Sequence, residues 1–381
     1  MVATCYNISK GMLALATGLL MQAAIAKSAA TVPRSAQSFE TLSRQAVEAR
    51  DAKHFAEALA LFRKALKLKP DWVEGFWEAG SIEYDQDQYR ECAADFHRLA
   101  ALTQDKASPA WTMAGLCEYH LRDYHEALKS LFQAQRLGFQ EPAELGRAAR
   151  LHLALVLIKL SRFENALSKL VELTRNDRKT PEIIVAAGIA GLRKPWTPPE
   201  VPDSERDKVY KLGDAMAAVM EQDSKEALAK FDVVLRDYPN EANVHFRFGA
   251  FLVAEDPDRG LKELLKTVEL DPNHIPALVS LASIYLKHDQ PKDARGYAEK
   301  AVKLSPDDFA THVTLGRVFQ GSDDLADAAR EFETAVRLAP ASPESHFSLA
   351  TVYAKLGRKE DSAREREEFR RLRTLTEPNQ Q

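Results

Sequence analysis

Apolar side chains recur three or four residues apart along most of the chain, in a succession of short stretches. This spacing places them on one face of an α-helix, so each stretch is predicted to be an amphipathic helix. The stretches come in twos, divided by polar breaks such as Asp85–Gln88 and Gly321–Asp324. Proline closes many of the second stretches, and it stops a helix because it lacks the N–H donor and clashes with the preceding turn. The pattern therefore predicts an all-α chain built from helix pairs.

The helix pairs also repeat in sequence. Ala294 and Ala328 lie 34 residues apart, and so do Pro306 and Pro340. The copies in the second stretch are Ala58-x3-Phe62-x2-Ala65-x4-Pro70, Ala227-x3-Phe231 with Pro239, Ala294-x3-Ala298-x2-Ala301-x4-Pro306 and Ala328-x3-Phe332-x2-Ala335-x4-Pro340. In the first stretch a large residue precedes a small one, as in Phe76-x2-Ala79-Gly80, Trp111-x2-Ala114-Gly115, His245-x2-Phe248-Gly249, His312-x2-Leu315-Gly316 and His346-x2-Leu349-Ala350.

These positions resemble the tetratricopeptide repeat, a unit of about 34 residues that reads Trp-x2-Leu-Gly-x2-Tyr, then Ala-x3-Phe, then Pro. The resemblance covers most of the chain and implies a right-handed superhelical solenoid of stacked antiparallel helix pairs, with about nine to ten units in two sub-arrays. One helix pair cannot bury its apolar face alone, whereas stacked pairs can. The units are placed at 39–72, 73–106, 108–141, 147–180, 208–241, 242–274, 275–308, 309–342 and 343–376.

The array is interrupted once. Residues 181–192 have the pattern of a first helix, but a proline-rich stretch at 193–207 follows in place of a second one. Because proline favours extended geometry, this stretch is predicted to be a stiff linker between arrays at 39–192 and 208–376. A sharper hypothesis is that Trp196 docks on a neighbouring groove and fixes the bend. The charged end of the second array is predicted to be a capping helix.

The first residues have the layout of a secretory signal peptide. Lys10 precedes an uncharged, mostly apolar run at 11–21, and the small-x-small sequence at 24–26 is a typical cleavage pattern. We expect cleavage after about residue 26, a flexible tail at 27–38, a short tail at 377–381, and an extracytoplasmic location, either periplasmic or secreted. An uncleaved N-terminal membrane anchor is the alternative.

The cysteines are Cys5, Cys92 and Cys117. Their spacing contains no Cys-x-x-Cys pair, which excludes a local zinc ribbon or a thioredoxin-like motif. Cys92 and Cys117 fall on adjacent predicted helices. We expect two buried free thiols there, with a disulfide as the alternative in an oxidising compartment.

Composition and motifs argue against catalysis and nucleic-acid binding. The formal net charge of −4 lacks the basic excess of chains that wrap nucleic acid. The sequence contains no phosphate-binding glycine loop, nucleophile elbow or His-Glu-x-x-His helix. His245, His312 and His346 share one repeat position, but packed helices lie about 8–10 Å apart, whereas zinc needs ligands at about 2 Å. We therefore expect packing histidines, no catalytic residue, no metal site and no cofactor.

The family resemblance also implies a binding groove, lined by the second, fifth, ninth and twelfth positions of each first helix. The groove residues predicted in this way are Trp77, Tyr84, Leu116, Tyr119, Leu151, Leu155, Met216, Phe246, Val253 and Phe347, with Ile158, Leu212, Val219 and Val279 beside them. Such an apolar, partly aromatic groove suits a helical or extended segment with apolar anchors. The alternative is that these side chains pack against one another inside a tight superhelix.

The sequence thus predicts a non-catalytic scaffold that binds a protein or peptide in an extracytoplasmic compartment. Its partners should include no nucleic acid, and the mature chain should not insert stably into a membrane. Two other functions remain open, namely a chaperone-like holder of secreted polypeptides and an accessory module of an envelope enzyme complex, such as one acting on polysaccharide.

Overall fold

A computed structural model describes residues 38–139, 143–176 and 179–376. Within these ranges all regular structure is helical, and the predicted all-α fold of stacked helix pairs is confirmed. The helices are α1 (Phe39–Asp51), α2 (Phe55–Leu68), α3 (Val73–Asp85), α4 (Tyr89–Leu102), α5 (Ser108–His120), α6 (Tyr124–Arg136), α7 (Ala143–Lys159), α8 (Phe163–Asn176), α9 (Pro181–Gly191), α10 (Arg206–Met220), α11 (Ser224–Asp237), α12 (Ala242–Glu255), α13 (Pro257–Leu270), α14 (Ile275–Lys287), α15 (Pro291–Leu304), α16 (Phe309–Gly321), α17 (Leu325–Leu338), α18 (Pro343–Lys355) and α19 (Lys359–Thr376).

The predicted signal segment and the 377–381 tail lie outside the described residues, as does the 27–38 tail apart from Ser38. None of the helices in the described ranges is both long and apolar enough to cross a membrane.

The chain forms two compact units, which we call the N-unit and the C-unit. The N-unit runs to Lys230 and the C-unit begins at Phe231, so the division falls inside α11. In the N-unit, α1 pairs with α2, α3 with α4, α5 with α6 and α7 with α8, and each second helix also packs on the next first helix. The C-unit repeats this arrangement with the four pairs from α12 to α19.

Small residues allow the two helices of a pair to approach closely. A Cβ atom added to Gly80 would lie 2.8 Å from the ring of Phe96, and one added to Gly316 would lie 2.8 Å from the ring of Phe332. The glycine of the first helix therefore makes room for the phenylalanine of the second. Both phenylalanines are completely buried, so the sequence motif corresponds to the packed core of each pair.

The pair α12–α13 explains why one predicted unit is a residue short. Asp256 alone separates the two helices, and it ends α12 and begins α13. Its carboxylate accepts the backbone N–H of Arg259 at 3.2 Å, and Pro257 occupies the first helical position, where no N–H donor is needed.

The helix predicted at 181–192 corresponds to α9, and it packs closely on a later helix even though no second helix follows it directly. Beyond the proline-rich stretch, α10 packs tightly on α9. A Cβ atom on Gly188 would lie 1.8 Å from the Val209 carbonyl oxygen, and one on Gly213 would lie 1.9 Å from that of Ile184. The two backbones are therefore in direct contact, which only glycine permits at these positions.

The proline-rich stretch itself contains two 3-10 turns, Pro198–Glu200 and Asp203–Glu205. The Glu200 carboxylate accepts the Thr197 backbone N–H at 2.7 Å and pairs with the Lys159 ammonium at 2.8 Å. Trp196 is half-buried, with the Lys194 ammonium 5.8 Å from its ring centre. Through Glu200, the turn at Thr197–Glu200 is thus fixed to the end of α7, within the N-unit.

Cys92 in α4 and Cys117 in α5 form a disulfide, with a Cα–Cα distance of 6.2 Å. The expectation of two free thiols was therefore wrong. Both residues are fully buried on the faces by which α4 and α5 pack together. Neighbouring positions on two packed helices bring the two Sγ atoms within bonding range, which the spacing in sequence alone does not reveal.

Candidate functional site

The predicted groove residues of the N-unit divide into accessible and buried groups. Trp77, Tyr84, Tyr119 and Leu151 are partly accessible. In contrast, Leu116 and Leu155 are each 1% exposed and belong to the core. Further buried positions are Met216, Ile158 and Leu212. Helices in the middle of the stack are covered on both sides, so their ninth positions pack inward and cannot line an open groove.

In the C-unit, Phe246 is only 4% exposed, so it also belongs to the core rather than to an open groove. Its ring centre lies 4.6 Å from that of His274, and the Arg247 guanidinium lies 4.9 Å from it on another side. Val253 is partly accessible, as are Val219 of the N-unit and Val279 of the C-unit. Phe347 is 55% exposed and contacts Phe369 of the capping helix, with ring centres 5.3 Å apart.

Two of the accessible groove residues belong to a continuous group of rings in the N-unit, which we call the aromatic cluster. Its members are Tyr84 of α3, Tyr89 of α4, Tyr119 and His120 of α5, Tyr124 of α6 and His152 of α7. The cluster therefore spans three successive helix pairs at the ends where first helices turn into second ones.

The rings of the aromatic cluster contact each other at short range. The His120 ring stacks on Tyr89 at 4.5 Å, and its Nε2 atom lies 3.3 Å from the Tyr84 hydroxyl. The Tyr119 ring meets His152 edge-on at 4.8 Å and Tyr124 at 5.8 Å. Such edge-to-face and stacked pairs are the favoured geometries for aromatic rings. The contacts hold the rings in fixed orientations before any partner arrives.

The aromatic cluster carries no net charge near neutral pH. Burial lowers the pKa of His120, and it lowers the pKa of His152 to about 4. Burial also raises the pKa of Tyr84 and of Tyr119, so both hydroxyls stay protonated. The cluster thus offers apolar ring faces together with neutral hydroxyl and imidazole groups that can form hydrogen bonds.

Sequence reasoning missed Tyr89, His120, Tyr124 and His152. Tyr89 and Tyr124 begin second helices, whereas the groove positions were taken from first helices only. The enrichment of aromatic residues on both sides of the short turns was the available signal. Tyr89 donates its hydroxyl proton to the Asp87 carboxylate at 2.7 Å, which fixes it at the rim of the cluster.

The repeated histidines of the C-unit have a structural role. His245 Nδ1 lies 2.6 Å from the Glu263 carboxylate, and its Nε2 lies 2.9 Å from the Pro239 carbonyl oxygen. His312 and His346 make the same two contacts, with Glu331 and Pro306 and with Glu365 and Pro340, respectively. Each ring thus ties the end of one unit to both helices of the next.

The described part of the chain also contains potential metal ligands outside these histidines. There, no group of three or more histidine, cysteine, aspartate or glutamate side chains is placed to hold a metal ion.

Family models of the tetratricopeptide repeat match three segments of the chain, at residues 209–241, 275–308 and 313–368. No curated protein matches the chain.

Among solved structures, the chain is similar to "MamA RS-1 ArsTM double mutant", with 21% identity and a TM-score of 0.42 over 47% of this chain and 99% of that one. It is also similar to "MamA 41-end from Desulfovibrio magneticus RS-1", with 23% identity and a TM-score of 0.39 over 46% of this chain and 96% of that one. At these values the likeness supports no functional conclusion.

Proposed function

The chain is a tetratricopeptide repeat protein, and we propose that it is an interaction scaffold that holds an apolar polypeptide segment on the aromatic cluster of the N-unit. The observation that carries the proposal is a set of six neutral rings held in place across three helix pairs, five of which are accessible to solvent while the sixth, His152, is buried. Rigid aromatic side chains provide large contact areas at low entropic cost, and they dominate the binding energy of many protein interfaces.

The chemistry of the aromatic cluster also suggests what the segment contains. Its uncharged ring faces favour apolar side chains of the partner, while the Tyr84 hydroxyl and the His120 imidazole can exchange hydrogen bonds with its backbone. Trp77 and Leu151, which are also partly accessible, extend the apolar surface along α3 and α7. A helical or extended segment with several apolar anchors fits this surface.

We further propose that the protein acts outside the cytoplasm. The signal-peptide pattern of the first 26 residues supports this location, and the disulfide between Cys92 and Cys117 supports it independently. Disulfides persist in oxidising compartments and are rare in the cytosol. The proposed role is non-catalytic, in keeping with the match of the chain to tetratricopeptide repeat models.

The test is affinity capture from an envelope extract after chemical cross-linking, with the protein expressed from its full sequence. The variant combines Tyr89→Ser with Tyr124→Ser, which removes two rings at helix starts. The control is Tyr210→Ser, an exposed tyrosine of the same unit outside the cluster. Thermal melting of all three proteins verifies that they fold.

We expect one defined partner to be captured by the wild type and by the control, and to be lost in the cluster variant. Capture that is unchanged in a folded cluster variant would show that the cluster is not the binding surface. Broad capture of many unrelated polypeptides would favour a chaperone-like holder over a scaffold.

A further inference from the structure

A small apolar pocket lies on the second-helix side of the C-unit, far in sequence from the aromatic cluster. Its volume is about 260 Å³, and Val268, Leu278 and Tyr297 form its apolar wall. Pockets for small molecules usually measure about 300–1,000 Å³. This one suits a single aliphatic side chain supplied by a protein.

Gly296 lies in the wall of the pocket and in the interior of α15. Glycine is among the poorest helix formers, so an interior glycine normally has a packing reason. The glycines in the first helices have one, but a Cβ atom on Gly296 would meet nothing within 4 Å. The absence of a side chain at Gly296 instead leaves space at the surface, within the pocket.

The pocket has a charged rim. Asp293 and Lys300 lie seven residues apart on α15, about 10 Å along the helix axis. Among the described residues neither of them forms an ion pair, and both are exposed. The pocket therefore favours an apolar side chain flanked by one basic and one acidic residue.

The chain itself carries a segment with these features. Leu68, at the end of α2, is 57% exposed, more than any other large hydrophobic side chain in the described part of the chain. Lys67 precedes it and Asp71 follows it closely, and both are exposed. Within the described ranges, these two charges also lack ion-pair partners.

From this match in size and charge, we propose that Leu68 of one copy inserts into the pocket of a second copy. Lys67 then lies beside Asp293 of the second copy, and Asp71 lies beside its Lys300. The leucine belongs to the N-unit and the pocket to the C-unit. A single contact leaves one leucine and one pocket free, through which further chains can join head to tail, whereas two reciprocal contacts close a symmetric dimer. One leucine and two exposed ion pairs make a weak contact, and association should depend on concentration and salt.

The experiment is sedimentation velocity on the protein expressed from its full sequence, from about 10 µM to about 1 mM. Leu68→Ser removes the inserted side chain. Gly296→Leu fills the pocket and at the same time improves the helix, so loss of association cannot be ascribed to unfolding. The control is Leu356→Ser, which alters another exposed leucine of the C-unit.

We expect the wild type and the control to associate as concentration rises, and each single variant to remain monomeric. A 1:1 mixture of Leu68→Ser and Gly296→Leu chains should form dimers and nothing larger, because the mixture retains one leucine and one pocket per pair. Failure of the wild type to associate at 1 mM would overturn the proposal. So would association that survives both variants, or a mixture that stays monomeric.

These outcomes do not depend on the aromatic cluster. Tyr89→Ser with Tyr124→Ser should leave self-association unchanged, and Gly296→Leu should leave partner capture by the cluster unchanged. The failure of one proposal is therefore distinguishable from the failure of the other.

Discussion

At the scale of single residues, the N-unit departs from the repeat motif at Glu83, which occupies the position of the motif tyrosine. Its carboxylate is buried and pairs with Arg63, which also pairs with Asp95 at 2.8 Å. Burial and then the Asp95 charge raise the pKa of Glu83 to about 7, against the opposing attraction of Arg63. In the last pair of the C-unit the corresponding motif position holds Tyr353, whose hydroxyl donates to Glu333 at 2.7 Å.

This raised pKa makes the stability of the N-unit depend on pH. A carboxyl group whose pKa is higher in the folded than in the unfolded state stabilises the fold fully below its unfolded pKa of 4.5, and that contribution is lost as the pH rises from there to about 7. Glu83→Gln should keep the protonated shape at every pH. We expect it to raise the free energy of unfolding at pH 8 by about 1–2 kcal/mol relative to the wild type.

The effect should shrink as the pH falls and vanish below about 4.5, where Glu83 is protonated in the folded and the unfolded chain alike. Urea unfolding of both proteins at pH 4, 5.5 and 8 measures it. Glu74→Gln, an exposed change on the same helix, is the matched control and should behave as the wild type does. If Glu83→Gln were less stable than the wild type at pH 8, the ion pair with Arg63 would outweigh the cost of burying the charge.

At the scale of helices, the local pattern of apolar and polar residues predicted the helix pairs. It did not predict the contacts that hold the proline-rich stretch to α7 and α10 to α9. The alternation of apolar and polar residues placed α9, and the prolines after it predicted extended chain. Neither could reveal that Glu200 would pair with Lys159, 41 residues away, or that α10 would cross α9 at two glycines. Such contacts depend on three-dimensional proximity, for which one sequence holds no periodic signal.

Substitution by alanine should therefore change the free energy of unfolding in opposite directions at Gly188 and Gly296, two glycines inside helices. Gly188→Ala places a methyl group where the Val209 carbonyl oxygen already lies, so we expect a loss of about 3 kcal/mol in unfolding free energy. Gly296→Ala adds a methyl group in open space and should gain about 0.5–1 kcal/mol from helix propensity. Urea denaturation at neutral pH measures both. Equal effects of the two changes would contradict the close crossing of α9 and α10.

At the scale of the whole molecule, the sequence predicted the fold class because a repeat displays its core positions many times over. Binding residues have no such redundancy. Tyr84 and Tyr119 proved accessible, whereas Leu116 and Phe246, chosen by the same rule, are buried. The rule specifies which face of a helix a residue occupies, but whether that face stays open depends on how closely successive first helices pack.

The proposed extracytoplasmic location makes a prediction that a count of thiols can test. With the signal segment removed, Cys5 is lost, and the disulfide between Cys92 and Cys117 leaves no free thiol. Alkylation of intact cells, followed by purification in denaturant and mass spectrometry, should find no label without reductant and two labels after reduction. One label before reduction would indicate a retained anchor segment carrying Cys5. Two or more labels before reduction would place the chain in a reducing compartment. The fold would then also lack the roughly 3 kcal/mol that a disulfide closing a loop of this length typically contributes to stability.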